Sequence, residues 1–151
     1  MSFESILSLC SFSHKDKSKP NIKSLPIIYG LFFSAHWCPQ SESITSEIKN
    51  FYHSVNSSTP QFEIFFLSSD IDKKSYEKSI KSMPWYSFAY NSPEISNLEN
   101  ELNIYSIPRL VILSSEGKLI PITDIRTSLT GVLNPLGNGS YRQRRKFFLR
   151  R

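Results

Sequence analysis

Residues 27–41 read IIYGLFFSAHWCPQS, an apolar run that ends at a Trp-Cys-Pro turn. The near-continuous apolar segment Ile27–Phe33 is typical of a central strand covered on both faces of a sheet. Pro39 suits the first position of a helix, because the N–H that proline lacks would have no partner there. The helix that should follow has one apolar stripe, formed by Ile44, Ile48, Phe51 and Val55. The sequence therefore predicts a strand, a turn and a helix, with Cys38 where the helix begins.

Strand and helix patterns alternate along the rest of the chain. Further strands are predicted at Asn21–Leu25, Phe62–Leu67, Arg109–Leu113 and Lys118–Ile122, the last two joined as a hairpin through Ser-Glu-Gly. Further helices are predicted at Ser2–Ser11, Asp72–Ser82, Ser92–Leu102 and Thr123–Leu133. This order predicts an α/β fold with a central mixed sheet of about five strands and helices on both faces.

The positive charge of the chain is concentrated at its C-terminal end. The 151 residues suit one domain, and they carry a net charge of +5. Six basic residues and no acidic one fall in residues 141–151, so the remainder has 12 basic against 13 acidic residues. We expect a nearly neutral domain over residues 1–140 and a basic tail over 141–151. The overall pI is therefore no argument for nucleic-acid binding by the domain. The tail suits weak contact with a membrane, a nucleic acid or an acidic protein, and a solvated appendage is the alternative.

The cysteine content restricts the chemistry that the chain can perform. Cys10 and Cys38 are the two cysteines, and with three histidines they give neither zinc-finger spacing nor a disulfide framework. No cofactor is expected. No apolar run approaches the ~18–20 residues of a membrane span, and the N-terminal residues lack the layout of a secretory signal. These features predict a cytoplasmic location, where thiols stay reduced and are catalytic or inert.

Cys38 is the candidate nucleophile. Unpaired N–H groups and the helix dipole at a helix N-terminus favour the thiolate, which is the nucleophilic form of cysteine. Trp37 would shield one side of the sulfur and offer a flat contact surface. The alternative is that Cys38 is a small hydrophobic residue at the end of a strand.

Four segments resemble one protein family. The stretch Gly30–Pro39 is similar to the segment that enters the active site of the tryparedoxins and nucleoredoxins, a branch of the thioredoxin superfamily, where the motif continues as Trp-Cys-Pro-Pro-Cys. Phe62–Asp70, Met83–Trp85 and Ser106–Pro108 match further motifs of this family in the same order. The resemblance runs from about residue 22 to 133. It implies a thioredoxin-like fold in which a cis Pro108 faces the active cysteine.

The chain departs from the family pattern around the cysteine. It reads Cys-Pro-Gln-Ser in place of Cys-Pro-Pro-Cys, so Gln40 replaces the second proline and Ser41 the second cysteine. Glu42 stands where the family usually has arginine, and Arg109 follows the proline where threonine is usual. Thioredoxins bury a carboxylate six residues before the first cysteine, at the position that Phe32 occupies here. The resemblance therefore implies that a dithiol relay is missing.

A single-cysteine mechanism remains compatible with these residues. The Cys38 thiolate would attack a substrate disulfide and form a mixed disulfide. The Ser41 hydroxyl cannot resolve that bond, although it can donate a hydrogen bond to the thiolate. An external thiol would resolve it, either glutathione, a related low-molecular-weight thiol or a cysteine of a partner protein. Cys38 and Ser41 are thus the predicted catalytic residues.

The substrate site follows from the same resemblance. The predicted substrate-binding residues are Trp37, Pro39, Gln40, Trp85, Ile107, Pro108 and Arg109. Backbone groups of Ile107 would pair with an extended segment of a protein substrate, and Arg109 would favour an acidic substrate or a glutathione carboxylate. Trp85 either lines this groove or is buried beneath it.

Two functions remain open from the sequence. The first is a tryparedoxin/nucleoredoxin-type thiol–disulfide oxidoreductase that acts through Cys38 alone, close to a monothiol oxidoreductase or an isomerase. The second is a redox-inactive binding module or adaptor that engages partner proteins through the cis-proline groove. Reactivity of the Cys38 thiol distinguishes them.

Overall fold

The computed structural model describes residues 12–13, 28–114 and 116–120. The strands in these residues are β1 (Phe12–Ser13), β2 (Ile28–Ser34), β3 (Phe62–Ser68), β4 (Tyr86–Phe88), β5 (Arg109–Ser114) and β6 (Leu119–Ile120). The helices are α1 (Ser41–Val55), α2 (Lys73–Ile80) and α3 (Pro93–Glu101). Four predictions lie outside the described residues: the helices at 2–11 and 123–133, the strand at 21–25 and the basic tail at 141–151.

The strands form one mixed sheet in the order β1-β4-β3-β2-β5-β6. Strands β2, β3 and β4 are parallel, whereas β1, β5 and β6 each run antiparallel to the neighbour with which they pair. The predicted mixed α/β sheet is confirmed, with β1 and β4 as strands that the sequence did not predict. These two are only two and three residues long, too short to show the period-2 alternation by which a strand is recognised.

Helices cover both faces of the sheet. Successive side chains of a strand point to opposite faces, so Phe33 packs with the α3 residues Ile95 and Leu98, while Phe32 packs with Ile48 of α1 and Tyr76 of α2. Burial on both faces explains why β2 and β3 consist almost entirely of apolar residues. The predicted helices on both faces are thus confirmed, with α1 and α2 together on one side.

Gly30 lies on the α1/α2 face of strand β2, where the neighbouring side chains leave no room for a Cβ atom. A Cβ atom at this position would lie 2.9 Å from Cζ of Phe62 and 3.0 Å from Cδ1 of Leu110. The Phe62 ring has little room to yield, because it is buried and packs edge-on against Phe51 with 5.7 Å between ring centroids. Strand β2 therefore needs a residue without a side chain at this position.

Candidate active site

Three loops meet at one edge of the sheet. Because β2 and β3 are parallel, with Ser34 opposite Ser68, their carboxyl ends lie side by side. Strand β5 is antiparallel to β2, with Phe33 opposite Arg109, so β5 begins at the same edge. The loop after β2 carries Cys38, and the segment before β5 carries Ile107 and Pro108. Residues that are far apart in the sequence are thereby brought together.

Cys38 lies in a turn that precedes α1. Its N–H donates to the Ala35 carbonyl at 3.2 Å, and the Ser41 N–H donates to the Cys38 carbonyl at 3.0 Å. These two bonds close consecutive turns, so the helix begins at Ser41 with Gln40 as its N-cap. The helix expected from about Pro39 begins two residues later, at Ser41, and Pro39 is an exposed turn residue.

The Cys38 thiol faces the segment before β5. Its Sγ donates a hydrogen bond to the Ile107 carbonyl oxygen at 3.8 Å, and the Ile107–Pro108 peptide bond is cis. Cys38 is a free thiol with 9% of its surface exposed. The thiol therefore lies in a nearly buried position, against the main chain at which the resemblance implies substrate binding.

The Ser41 hydroxyl makes no hydrogen bond to the Cys38 sulfur within the described part of the chain, since the thiol donates to Ile107 instead. Ser41 is half-buried at the start of α1, and Pro39, Gln40 and Arg109 are exposed. The structure thus brings the predicted residues 37–41 and 107–109 to one edge. The predicted hydrogen bond from Ser41 to the sulfur is therefore not formed among the described residues.

Asp70 holds the cysteine loop in place, and sequence reasoning missed it. Its Oδ1 accepts from the His36 N–H at 2.7 Å, and its Oδ2 accepts from the hydroxyls of Ser68 at 2.7 Å and Ser79 at 2.8 Å. The carboxylate is buried and ties the loop to both β3 and α2. Its position two residues after a buried strand is the available sequence signal, because that position lies at the loop edge of a parallel sheet.

A hydrogen bond from its indole ring holds the Trp37 side chain in place. Its indole Nε1–H donates to the Ser69 carbonyl at 3.1 Å, although 54% of the side chain is exposed. The ring is therefore oriented by the loop after β3 while much of the side chain stays open to solvent. An exposed aromatic surface held in one orientation suits contact with a partner segment.

Trp85 does not join these residues. Only 2% of it is exposed, and its ring packs edge-on against Phe32 and Tyr52, with centroids 6.2 Å and 5.5 Å away. The chain enters β4 beneath α1, which directs this side chain into the core on the α1/α2 face. The structure therefore supports the burial alternative for Trp85 and removes it from the predicted groove.

The described residues offer no group of three or more histidine, cysteine, aspartate or glutamate side chains that could bind a metal ion. None of the helices in the described ranges is long and apolar enough to cross a membrane.

Comparison with curated proteins gives nucleoredoxins among the relatives of this chain. The nucleoredoxin of Danio rerio is 36% identical over 92 residues, which are 60% of this chain and 22% of that protein. Probable nucleoredoxin 3 of Oryza sativa is 32% identical over 91 residues, again 60% of this chain but 19% of the relative. The chain thus spans about a fifth of the length of the curated relatives that it matches.

The solved structures show the same fold. Tryparedoxin II from C. fasciculata superimposes with a TM-score of 0.70 and 23% identity, covering 84% of this chain and 86% of that one. A tryparedoxin II complexed with glutathionylspermidine gives a TM-score of 0.61 and 25% identity, covering 76% of this chain and 78% of that one. A family described as thioredoxin-like matches residues 27–119, which contain the whole edge described above. Fold and sequence match together place the chain in the thioredoxin-like family, with nucleoredoxins and tryparedoxins as its relatives.

Proposed function

We propose that this chain is a thiol–disulfide oxidoreductase of the tryparedoxin/nucleoredoxin type in which Cys38 is the only nucleophile. The observation that carries the proposal is the 3.8 Å contact between the Cys38 sulfur and the Ile107 carbonyl, with a serine at position 41. A thiol in this position can attack a disulfide presented along the cis-proline segment. A second thiol within the same motif is missing.

The proposed cycle consumes two external thiols. The Cys38 thiolate attacks one sulfur of the substrate disulfide, the S–S bond breaks, and the other sulfur leaves as a thiolate that takes a proton from water. An external thiolate then attacks the Cys38 sulfur, which releases the reduced substrate and leaves the external thiol bound to Cys38. A second external thiolate attacks that external sulfur, which regenerates Cys38 and yields the oxidised external thiol. The substrate disulfide gains two electrons, and two thiols lose them.

The proposed substrates are proteins with an accessible disulfide or thiol. Trp37 offers an exposed aromatic face, and Pro39 and Gln40 form the exposed rim beside it. Ile107 supplies main-chain groups next to the sulfur, since its carbonyl already accepts from the thiol. An extended segment bound there would place its disulfide in line with Cys38.

The proposed external thiol is glutathione or a related low-molecular-weight thiol. The solved complex of tryparedoxin II with glutathionylspermidine supports a thiol of this class. Arg109 is exposed at the start of β5, next to cis Pro108, and its guanidinium suits a carboxylate of such a thiol. Cys38 and Arg109 would then act on the same small molecule.

Reaction with glutathione disulfide tests the proposal. In a Cys10→Ser background, intact mass should increase by one glutathionyl group, and peptide mapping should place it on Cys38. The Cys38→Ser variant is the matched control and should gain no mass. Absence of the adduct in the Cys10→Ser protein, under conditions in which a free peptide thiol reacts, would overturn the proposal.

A second candidate is a redox-inactive binding module that uses the same edge. The low exposure of Cys38, 9%, favours this function, because the thiol is nearly buried and already donates a hydrogen bond to the Ile107 carbonyl. Such a module would bind protein partners equally well with alanine at position 38. An oxidoreductase would instead lose covalent capture of its substrates in the Cys38→Ala variant, so trapping with and without this substitution distinguishes the two functions.

A further inference from the structure

A cavity of about 590 Å³ opens on the α1/α2 side of the sheet, beside the Cys38 turn. Helix α1 contributes Thr45 and Lys49 to its wall, and α2 contributes Lys78 and Ser79. Neither Ile107 nor Pro108 lines it, so the cavity is distinct from the groove proposed for protein substrates. The two sites share only the turn that carries Cys38.

The floor of the cavity holds a buried hydroxyl without a partner. Phe32 points to the α1/α2 face, and Ser34, two residues further along β2, points to the same face. Ser34 is 1% exposed and lines the cavity, and its Oγ has no hydrogen-bond partner within the described residues. Buried polar groups are nearly always satisfied. A hydroxyl left unsatisfied at the bottom of an open cavity points to a ligand that completes its hydrogen bond.

The charges on the wall indicate what such a ligand carries. Lys49 is half-buried and Lys78 is exposed, and neither forms an ion pair with a described carboxylate. Glu42, exposed at the rim, is the single carboxylate among the described residues of the wall, and with Lys49 and Lys78 their charged side chains sum to one positive charge. Ammonium and hydroxyl groups are hydrogen-bond donors, and charge-assisted bonds from them to an oxyanion are among the stronger contacts in proteins.

We propose that this cavity binds a small molecule bearing an oxyanion, a carboxylate or a phosphate group. Lys49 and Lys78 neutralise the anion at the mouth, and the Ser34 hydroxyl donates to a polar atom of the ligand at the floor. The ligand then lies against the turn that carries Cys38. Binding requires no reaction of the thiol, so this proposal stands apart from the proposed oxidoreductase activity.

Two probes distinguish the sources of the oxyanion. The full chain, labelled with ¹⁵N and carrying Cys38→Ser, is titrated with S-methylglutathione, which has peptide carboxylates and no thiol, and separately with inorganic phosphate. We expect one probe to give saturable shifts of the Ser34, Thr45 and Ser79 amide signals. Saturation by S-methylglutathione assigns the site to a peptide-like carboxylate, and saturation by phosphate assigns it to a phosphate compound.

Variants of the wall make the test specific. Lys49→Gln and Lys78→Gln should each weaken binding about tenfold, the loss expected of one charge-assisted hydrogen bond. Ser34→Ala should weaken binding severalfold without lowering the thermal unfolding temperature, because the hydroxyl has no hydrogen-bond partner to lose among the described residues. Lys81→Gln is the matched control, since Lys81 is an exposed lysine next to α2 that does not line the cavity.

Two results would overturn the proposal. One is that neither probe produces saturable shifts. The other is that Lys49→Gln and Lys78→Gln bind as well as Lys81→Gln does. Since both probes lack a thiol, failure here leaves the glutathionylation test of Cys38 unaffected, and failure of that test leaves cavity binding unaffected.

Discussion

The main-chain N–H of His36 donates a 2.7 Å hydrogen bond to Oδ1 of Asp70, which lies 34 residues further along the chain. This bond connects the loop that carries Cys38 to the loop after β3. Since Oδ2 of the same carboxylate binds the hydroxyls of Ser68 and Ser79, one buried side chain fixes the cysteine loop, a strand and a helix. The position of the thiol thus depends on a residue that never contacts it.

Replacing Asp70 should therefore affect stability and thiol reactivity together. Asp70→Ala leaves three donors without their acceptor, and we expect a loss of about 2–3 kcal/mol in the free energy of unfolding. The rate at which iodoacetamide alkylates Cys38 should also change, because the loop is released from β3. Urea unfolding and timed alkylation measure the two effects.

Asp72 provides a matched control for the Asp70 experiment. It is exposed, and its carboxylate caps α2 by accepting from the Ser75 N–H at 2.7 Å, a contact that holds its pKa below the ordinary value. Asp72→Asn keeps a capping oxygen and should leave Cys38 alkylation unchanged. Equal alkylation rates in Asp70→Ala and Asp72→Asn would contradict the positioning role of Asp70.

Gly30→Ala should destabilise the fold by overpacking. The added methyl group would lie 2.9 Å from the Phe62 ring and 3.0 Å from Leu110, and overpacking of this kind costs about 1–3 kcal/mol. Chemical denaturation measures the loss. In a double-mutant cycle, Phe62→Leu should relieve part of the strain, so that the two substitutions together cost less than their sum. If the two losses of stability are simply additive, the Phe62 ring is not what excludes a side chain at position 30.

Tyr52 should make the protein sensitive to alkaline pH. Burial is the main cause that raises the pKa of Tyr52, and the charge of Glu63 and the 3.1 Å hydrogen bond from the Tyr52 hydroxyl to Glu63 Oε1 raise it further. A tyrosine in the unfolded chain ionises at a pH of about 10. The stabilisation is therefore fully present below that pH and is lost as the pH rises above it.

Urea unfolding at a series of pH values checks this dependence. Between about pH 9 and 11, a range that brackets tyrosine ionisation in the unfolded chain, stability should fall less steeply in Tyr52→Phe than in the unmodified chain. Tyr105→Phe is the control, because Tyr105 is 88% exposed. The same alkaline slope in all three proteins would exclude Tyr52 as its source.

The central strands could be predicted because a strand buried on both faces consists almost entirely of apolar residues. Strands β2 and β3 are covered on both faces, so Ile27–Phe33 and Phe62–Leu67 stood out as apolar runs close to the observed limits. Strand β4, at Tyr86–Phe88, has three residues and no such pattern. Helix α1 begins at Ser41 and not near Pro39, because two hydrogen-bonded turns precede the helix.

The site was predicted where it follows from local motifs and missed where it depends on long-range contacts. The family resemblance predicted that Cys38 faces the segment of Ile107 and Pro108. In the structure the Cys38 thiol donates a hydrogen bond to the Ile107 carbonyl oxygen. The hydrogen bond from the His36 N–H to Asp70 could not be predicted, because nothing in the sequence around either residue identifies the other as its partner. Trp85 follows a proline in a family motif, and nothing in that motif tells how deeply the ring is buried.

The lifetime of a mixed disulfide tests the central claim most directly. In a Cys10→Ser background, the chain is reacted with two peptides joined by one disulfide, the released peptide thiol is removed by desalting, and the adduct on Cys38 is followed by intact mass. With Ser41 in place, the adduct should persist until glutathione is added and then discharge with release of reduced peptide. The Ser41→Cys variant should discharge it unaided by forming a disulfide between positions 38 and 41. If no adduct forms on Cys38, or if the Ser41 protein discharges it without an added thiol, the single-cysteine account is contradicted.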